Sequence, residues 1–212
     1  MNTLAQHTLT NQEYLDLESL QEYKSEYYAG EVFAQAGASS KHTEIAGNLF
    51  ALVHSHLKGK ACRAYIADMK LHVSKVDAFF YPDVMVTCDS RDRSTDMYKQ
   101  YPVIIAEVLS ESTADYDRTF KFACYQKIDT LRDYLLISQD VFSVEHFHLN
   151  TLREWVRTIH SVGETFHLGC LDLDVAVSDV YADVDGVVTL EEKYRKLPSL
   201  SQLRQSQEMP CQ

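Results

Sequence analysis

The sequence is short of basic residues, of glycine and proline, and of paired cysteines, and each shortage narrows what the chain can be. Lys and Arg number 20 against 31 Asp and Glu, for a formal net charge of −11. Tight non-specific binding to a phosphate backbone is therefore disfavoured, because phosphate contacts draw on Lys and Arg. A role on nucleic acid would have to rest on a local basic strip and a metal ion. Only 7 Gly and 4 Pro occur, too few for long structureless linkers. The five cysteines (Cys62, Cys88, Cys124, Cys170 and Cys211) are scattered, odd in number and without a CxxC pair. Reduced structural thiols are the expectation; a disulfide framework or zinc knuckle is not supported. The stretch from Met1 to Tyr14 has neither a basic n-region nor an apolar h-region, and the longest apolar runs are far too short to span a bilayer. The expected compartment is the cytoplasm, with no membrane contact. No Gly-rich phosphate loop and no GxSxG elbow is present, so nucleotide-binding and serine-hydrolase chemistry have no support.

What is present is ordinary globular material: 212 residues, 45% hydrophobic and 24% charged. Thr10 with Glu13 forms a capping box that opens a helix to about Glu22. Glu26–Phe33 reads as two extended segments around Ala29-Gly30. Ser39-Ser40 caps a helix from Lys41 to about Leu57 whose buried stripe is Ile45, Leu49, Leu52 and Val53. Strand signals follow over 62–67, 70–76 and 80–87, then a charged loop over 89–99. The run from Pro102 to Leu109 suits a central strand buried on both faces. A helix is expected over 115–128, a strand over 133–138, a hairpin over 142–159 and a half-exposed strand from Leu171. The pattern predicts an α/β fold, a mixed central β-sheet flanked by helices. Residues 1–190 form a single domain, and 191–212 a polar, poorly ordered tail.

Glu107 carries most information. It sits in Val103-Ile104-Ile105-Ala106-Glu107-Val108-Leu109, where an ionised carboxylate costs several kcal/mol, on the order of a buried unpaired charge, unless something compensates it. Asp83 occupies a similar context behind Pro82, at the start of another apolar strand. Two such acids on adjacent strands can converge on one hard cation. Lys121 lies on the following helix, with Asp117 and Tyr125 at i,i+4 spacing to either side. It can aim an ammonium group at that cation, to orient a water or to neutralise developing phosphorane charge. The plainer reading is an edge-strand acid and a solvated helix lysine.

Pro82-Asp83 followed by Glu107-Val108-Leu109 resembles the PD-(D/E)xK nuclease motif, although Leu109 stands where that motif has lysine. More narrowly, Glu26–Glu31, Ala38–His42, Ala67–Lys70, Tyr81–Val84, Ala106–Thr113, Asp117-Arg118 with Lys121 and Tyr125, and Arg132–Ile137 together resemble the Uma-two family of restriction-endonuclease-like proteins, over about residues 10–185. The resemblance implies a restriction-endonuclease-like fold. It implies an endonuclease that hydrolyses phosphodiester bonds in nucleic acid, DNA before RNA, with Mg²⁺ or Mn²⁺ as cofactor. Asp83, Glu107 and the Val108 backbone carbonyl would hold the ion, and Lys121 would take the place of the motif lysine. A homodimer would suit cleavage of both strands.

Several residues carry secondary readings. His42 opens the second helix at a family position and would touch the scissile phosphate, or else bond a nearby carboxylate. Glu31 and Glu26 flank the turn and either could approach the cation from across the sheet, though hairpin acids are more often at the surface. Tyr125 would bond or pack against Lys121. His146 and His148 share a strand face, but no Cys or acid is spaced to complete a zinc set. Lys58, Lys60, Arg63, Lys70 and Lys75 are the densest basic group, either a backbone groove or a solvated edge. The competing functional class is a nuclease-like fold used as a non-catalytic binding or regulatory module, which the acidic balance favours.

Overall fold

The computed structural model describes residues 8–35 and 37–195. The chain runs α1 (Asn11–Leu20), β1 (Ser25–Tyr28), β2 (Glu31–Ala34), α2 (Ser40–His56), β3 (Arg63–Ile66), β4 (Lys70–Val73), β5 (Ala78–Phe80), β6 (Val84–Thr87), β7 (Tyr98–Lys99) and β8 (Pro102–Leu109). A helical segment, α3, follows in three pieces: Ala114–Tyr116, a π-turn over Asp117–Lys121, and Phe122–Tyr125. Then come β9 (Asp133–Ser138), β10 (Ser143–Leu149), β11 (Trp155–Ser161), β12 (Thr165–Leu168), β13 (Leu173–Ala176), α4 (Val177–Val180) and α5 (Leu190–Arg195).

The capping box forms as its sequence predicts. Thr10 Oγ1 accepts from the Glu13 amide at 3.3 Å, and the Thr10 amide donates to Glu13 Oε2 at 2.8 Å. Ser39 caps α2 by accepting from the His42 amide at 3.2 Å. Ala29 and Gly30 both take positive φ, 48° and 95°, which turns β1 tightly into β2.

The expected mixed central sheet is six-stranded, in the order β11-β10-β9-β8-β6-β3, with β8 and β9 parallel and joined through α3. Strand β8 alternates between two cores. Ile104, Ala106 and Val108 pack with Ile45, Leu49 and Val53 of α2. Ile105 and Leu109 pack on the other side with Leu71, Phe80, Tyr125 and Leu136. Burial on both faces is why the strand is a continuous apolar run.

A second sheet, of five strands in the order β2-β1-β5-β4-β7, was not foreseen. It exists because the expected strand over 80–87 is broken. β5 ends at Phe80 in the five-stranded sheet, and β6 begins at Val84 in the six-stranded one. Pro82 at the break has no amide hydrogen to give a ladder. Glu18 of α1 braces the corner, accepting from Tyr81 Oη at 2.5 Å and from Ser25 Oγ at 2.6 Å.

Three other expectations change. Cys62 and Cys88 are disulfide-bonded, which corrects the reading of five reduced thiols. Arg63 pairs with Thr87 across antiparallel β3 and β6, so the flanking cysteines are brought face to face by a register that their spacing does not reveal. The charged loop over 89–99 buries Asp92 and Lys99. The polar tail expected from 191 starts as helix α5 through Arg195, and residues 196–212, with Cys211, lie outside the described part.

Candidate active site

Antiparallel pairing of β6 with β8 sets Val84 against Ala106, so Asp83 and Glu107 come next to each other just beyond that pair. The backbone locks both acids. The Asp83 amide donates to Glu107 Oε2 at 3.3 Å, and the Val108 amide donates to Asp83 Oδ2 at 2.7 Å. His42, in the first turn of α2, places Nε2 2.8 Å from Asp83 Oδ1. An imidazole from one side of the sheet thus meets an acid whose partner Glu107 faces the other.

From that other side, α3 contributes Lys121 and Tyr125, one turn apart. Tyr125 Oη donates to Glu107 Oε1 at 2.8 Å, and Lys121 Nζ lies 3.3 Å from the same oxygen. Lys121 Nζ also lies 3.0 Å from Glu26 Oε1 and 3.5 Å from Asp117 Oδ1. The π-turn over Asp117–Lys121 is the local device, since π segments inside helices shift side-chain directions and occur often at functional sites. Here it leaves both Asp117 and Lys121 buried. Glu26 reaches in from β1 of the second sheet, and its Oε1 also accepts from the Tyr81 amide at 3.3 Å and Gln35 Nε2 at 3.1 Å.

Four carboxylates therefore gather around one lysine and one histidine. Burial pushes Glu107 well above the usual carboxylate range, against the pull of Lys121, with Asp83, Asp117 and Glu26 adding to the rise. Asp117 is raised for the same reason. Burial alone would lower Lys121, but Glu107, Glu26 and Asp117 more than offset it and hold the ammonium charged. Burial, with Glu107 next in weight, also drives Tyr125 upward, so its phenol stays a donor.

The donor set suits a hard divalent cation. It is made of oxygen atoms, and buried negative charge exceeds buried positive charge. Among the described residues no three His, Cys, Asp or Glu side chains already surround a common point.

A model of the Uma2 family, whose description reads "Putative restriction endonuclease", matches residues 11–178. The chain belongs to the Uma2 family. It is similar to the uncharacterised protein slr1290 of Synechocystis sp., at 35% identity over 173 residues, covering 82% of this chain and 91% of that one. It is also similar to the uncharacterised protein sll1609 of the same organism, at 38% over 153 residues, covering 71% and 86%. Among solved structures, a protein from Anabaena variabilis titled a "putative nuclease belonging to DUF820" shares the fold. The TM-score is 0.67 at 19% identity, over 82% of this chain and 97% of that one.

In this Uma2 chain the structure brings together Asp83, Glu107, Lys121, Tyr125 and His42. Glu31 does not join them; it is exposed at the start of β2, opposite Tyr28. Glu26, further from the turn and opposite Phe33, is the acid that enters. Asp117, noted in the sequence for its i,i+4 spacing to Lys121 but given no role there, joins the cluster as well. The expected basic strip is dispersed: Lys75 pairs with Asp129, Lys60 leans on His56, and Lys70 lies over the Tyr81 ring, 5.3 Å from its centroid. Among the described residues no helix is long and apolar enough to cross a membrane.

Proposed function

We propose that this Uma2 chain is a divalent-metal-dependent endonuclease of the PD-(D/E)xK type that hydrolyses phosphodiester bonds, in DNA rather than RNA. The observation that carries this reading is the meeting of Asp83, Glu107 and Lys121 in one buried cluster with more carboxylates than cations. The family description, a restriction endonuclease, points the substrate toward DNA.

Asp83, Glu107 and the Val108 carbonyl would hold Mg²⁺ or Mn²⁺. The ion, when bound, would polarise a phosphoryl oxygen and lower the pKa of a water. Lys121 remains charged and donates to negative charge that builds on the phosphate. Glu26 and Asp117 keep that ammonium protonated and aimed. Tyr125 fixes the Glu107 carboxylate, and His42 fixes Asp83 and would be a donor to a phosphate bound beside it. Lys70, over the Tyr81 ring, would be free to steady a nucleic-acid backbone, whereas Lys24, over the same ring, is paired with Asp68 at 2.9 Å. A cytoplasmic homodimer would present two such sites to a duplex.

The test is cleavage of plasmid DNA, single-stranded DNA and RNA with Mg²⁺ or Mn²⁺, beside Asp83→Asn and Glu107→Gln, with calorimetric titration of the ion. Metal-dependent cleavage of DNA lost in both variants, together with ion uptake, supports the assignment. Normal cleavage by Asp83→Asn would dispose of it. A second reading, a non-catalytic nuclease-fold module, is favoured by the −11 charge and by Lys121 being engaged by three carboxylates. No Mg²⁺ uptake at millimolar concentration decides for that module.

A further inference from the structure

Most sheet edges in this fold are short. Strands β2 and β3 have four residues each and β7 has two, and short edge strands offer little to another chain. The far edge of the six-stranded sheet is different. β11 runs for seven residues, Trp155–Ser161, in unbroken register with β10, and among the described residues no strand pairs with its other side. It holds no proline and no lysine, and its one charged side chain, Arg157, is tied to Glu145 of β10 at 2.7 Å. Val156 and Ile159 lie exposed on it. The edge therefore lacks the bulge, the proline and the lysine that commonly keep a strand from pairing with a neighbour.

Ladder parity decides which backbone groups this edge leaves open. The Leu149 amide turns away from β11 to the Arg132 carbonyl at 2.8 Å, and the Asn150 amide reaches the Glu154 carbonyl at 2.9 Å. Leu149 and Trp155 thus form a non-hydrogen-bonded pair. By alternation, His148 with Val156, His146 with Thr158 and Val144 with His160 carry the ladder. The N–H and C=O groups of Trp155, Arg157, Ile159 and Ser161 point outward. Ser161 spends its own: the amide donates to Glu164 Oε2 at 2.6 Å, and the carbonyl accepts from the Glu164 amide at 3.0 Å. Trp155, Arg157 and Ile159 are left open.

We propose that a second copy of this chain docks on that edge, β11 against β11, antiparallel about a twofold axis through Thr158. An axis through Arg157 sets two guanidinium groups opposite each other. An axis through Ile159 sets Arg157 against Ser161 and leaves the Arg157 carbonyl without a donor, since the Ser161 amide is taken. The axis through Thr158 sets Arg157 against Ile159 of the second copy, so that open groups close hydrogen bonds with open groups on both sides of the axis. It also sets threonine against threonine, a favourable cross-strand pair. At each end the Trp155 amide can use the second lone pair of the Ser161 carbonyl. One patch serves both chains, as an isologous contact requires. A strand of this length makes an interface at the low end of the size range, so the dimer forms and parts with concentration. The pairing supplies a surface for the homodimer named above without drawing on the chemistry at Glu107.

The experiment is sedimentation velocity of the full-length chain in chelator from about 1 to about 200 µM, with hydrogen exchange at both ends of that range. A monomer–dimer equilibrium is expected, with the Arg157 and Ile159 amides protected only at the high end. Ile159→Lys, which would face Arg157 of the second copy, should raise the dissociation constant by about tenfold. Ile159→Pro removes an outward amide and spares the β10 ladder; it should abolish the dimer, with circular dichroism confirming the fold. Should that variant unfold, Thr158→Cys in a Cys170→Ser, Cys211→Ser chain reads the register. On the axis its Cα atoms would stand about 4.5 Å apart, within disulfide reach, and oxidation should give a covalent dimer that Val156→Cys does not. The proposal is overturned by a monomer at every concentration, by a dimer that Ile159→Lys leaves unchanged, by amide protection independent of concentration, or by failure of Thr158→Cys to cross-link. A monomer that cleaves DNA would sink this proposal alone, and an inert dimer would sink only the cleavage assignment.

Discussion

Replacing Lys121 with methionine tests the acid cluster without reference to any substrate. The side chain keeps its length and loses its charge, and it leaves Glu26, Glu107 and Asp117, formerly 3.0, 3.3 and 3.5 Å from Nζ, without their shared cation. Breaking a buried ion pair by removing one partner costs about 3–5 kcal/mol. The carboxylates relax part of that by taking protons, at about 1.4 kcal/mol per pKa unit. For a domain of this size, about 3–5 kcal/mol corresponds to a midpoint lowered by roughly 6–20 °C. Trp155, the single tryptophan, stacks edge-on with Phe122 of α3 at 5.4 Å and so reports on the helix that carries Lys121. Urea unfolding followed by its fluorescence, in chelator, gives the difference directly. The companion is Lys121→Met with Glu107→Gln. Removing both charges should recover part of the loss, because a neutral pair in place of a buried ion pair is often nearly neutral in stability. A loss under about 1 kcal/mol for Lys121→Met, the scale of exposed pairs, would refute the view that this lysine neutralises buried carboxylates.

Two further outcomes follow from the same structure. Burial raises Glu107 and Asp117 in the folded protein. Between the ordinary carboxylate range and those raised positions the folded state binds more protons than the unfolded, so metal-free stability is full at the acid side and falls as pH rises. Mg²⁺, which needs the ionised acids, should flatten or reverse that slope; a pH-independent unfolding midpoint in chelator contradicts it. The Cys62–Cys88 bridge closes a separation of 26 residues, worth about 3.5 kcal/mol by loop entropy. Thiol labelling of the denatured, unreduced chain should modify Cys124 and Cys170 and leave Cys62 and Cys88 unmodified. Reductant should lower the unfolding midpoint; labelling of Cys62 and Cys88 at the outset would remove the bridge.

Glu107 was legible because an acid in an unbroken apolar strand has no cheap explanation, and β8 is indeed buried on both faces. Helical spacing put Lys121 and Tyr125 on one face, but it was the resemblance to the Uma-two family that marked Lys121 as the site lysine. Glu26 was harder to separate from Glu31, since both flank one turn and only the direction of the hairpin relative to α3 distinguishes them. Asp117 was visible at i,i+4 to Lys121, but spacing alone does not say that this face of the helix is buried, as it is here. The division of the 80–87 strand was announced only by Pro82, and a proline at a strand start reads the same as one at a sheet change. The cysteine bridge and the grouping of His146 with His160 depend on which strands become neighbours. His160 lies 14 residues beyond His146, and only the β10–β11 register sets the two diagonally across from each other.

The change of sheet at Pro82 has a mechanical consequence. Glu26 belongs to one sheet and Glu107 to the other, and Lys121 fastens them like a rivet through a seam. The seam is also filled by an apolar core drawn from both layers, with Leu71 and Phe80 of one meeting Ile105 and Leu136 of the other. A wedge between the layers would therefore have to open oily contacts and the charged fastening together.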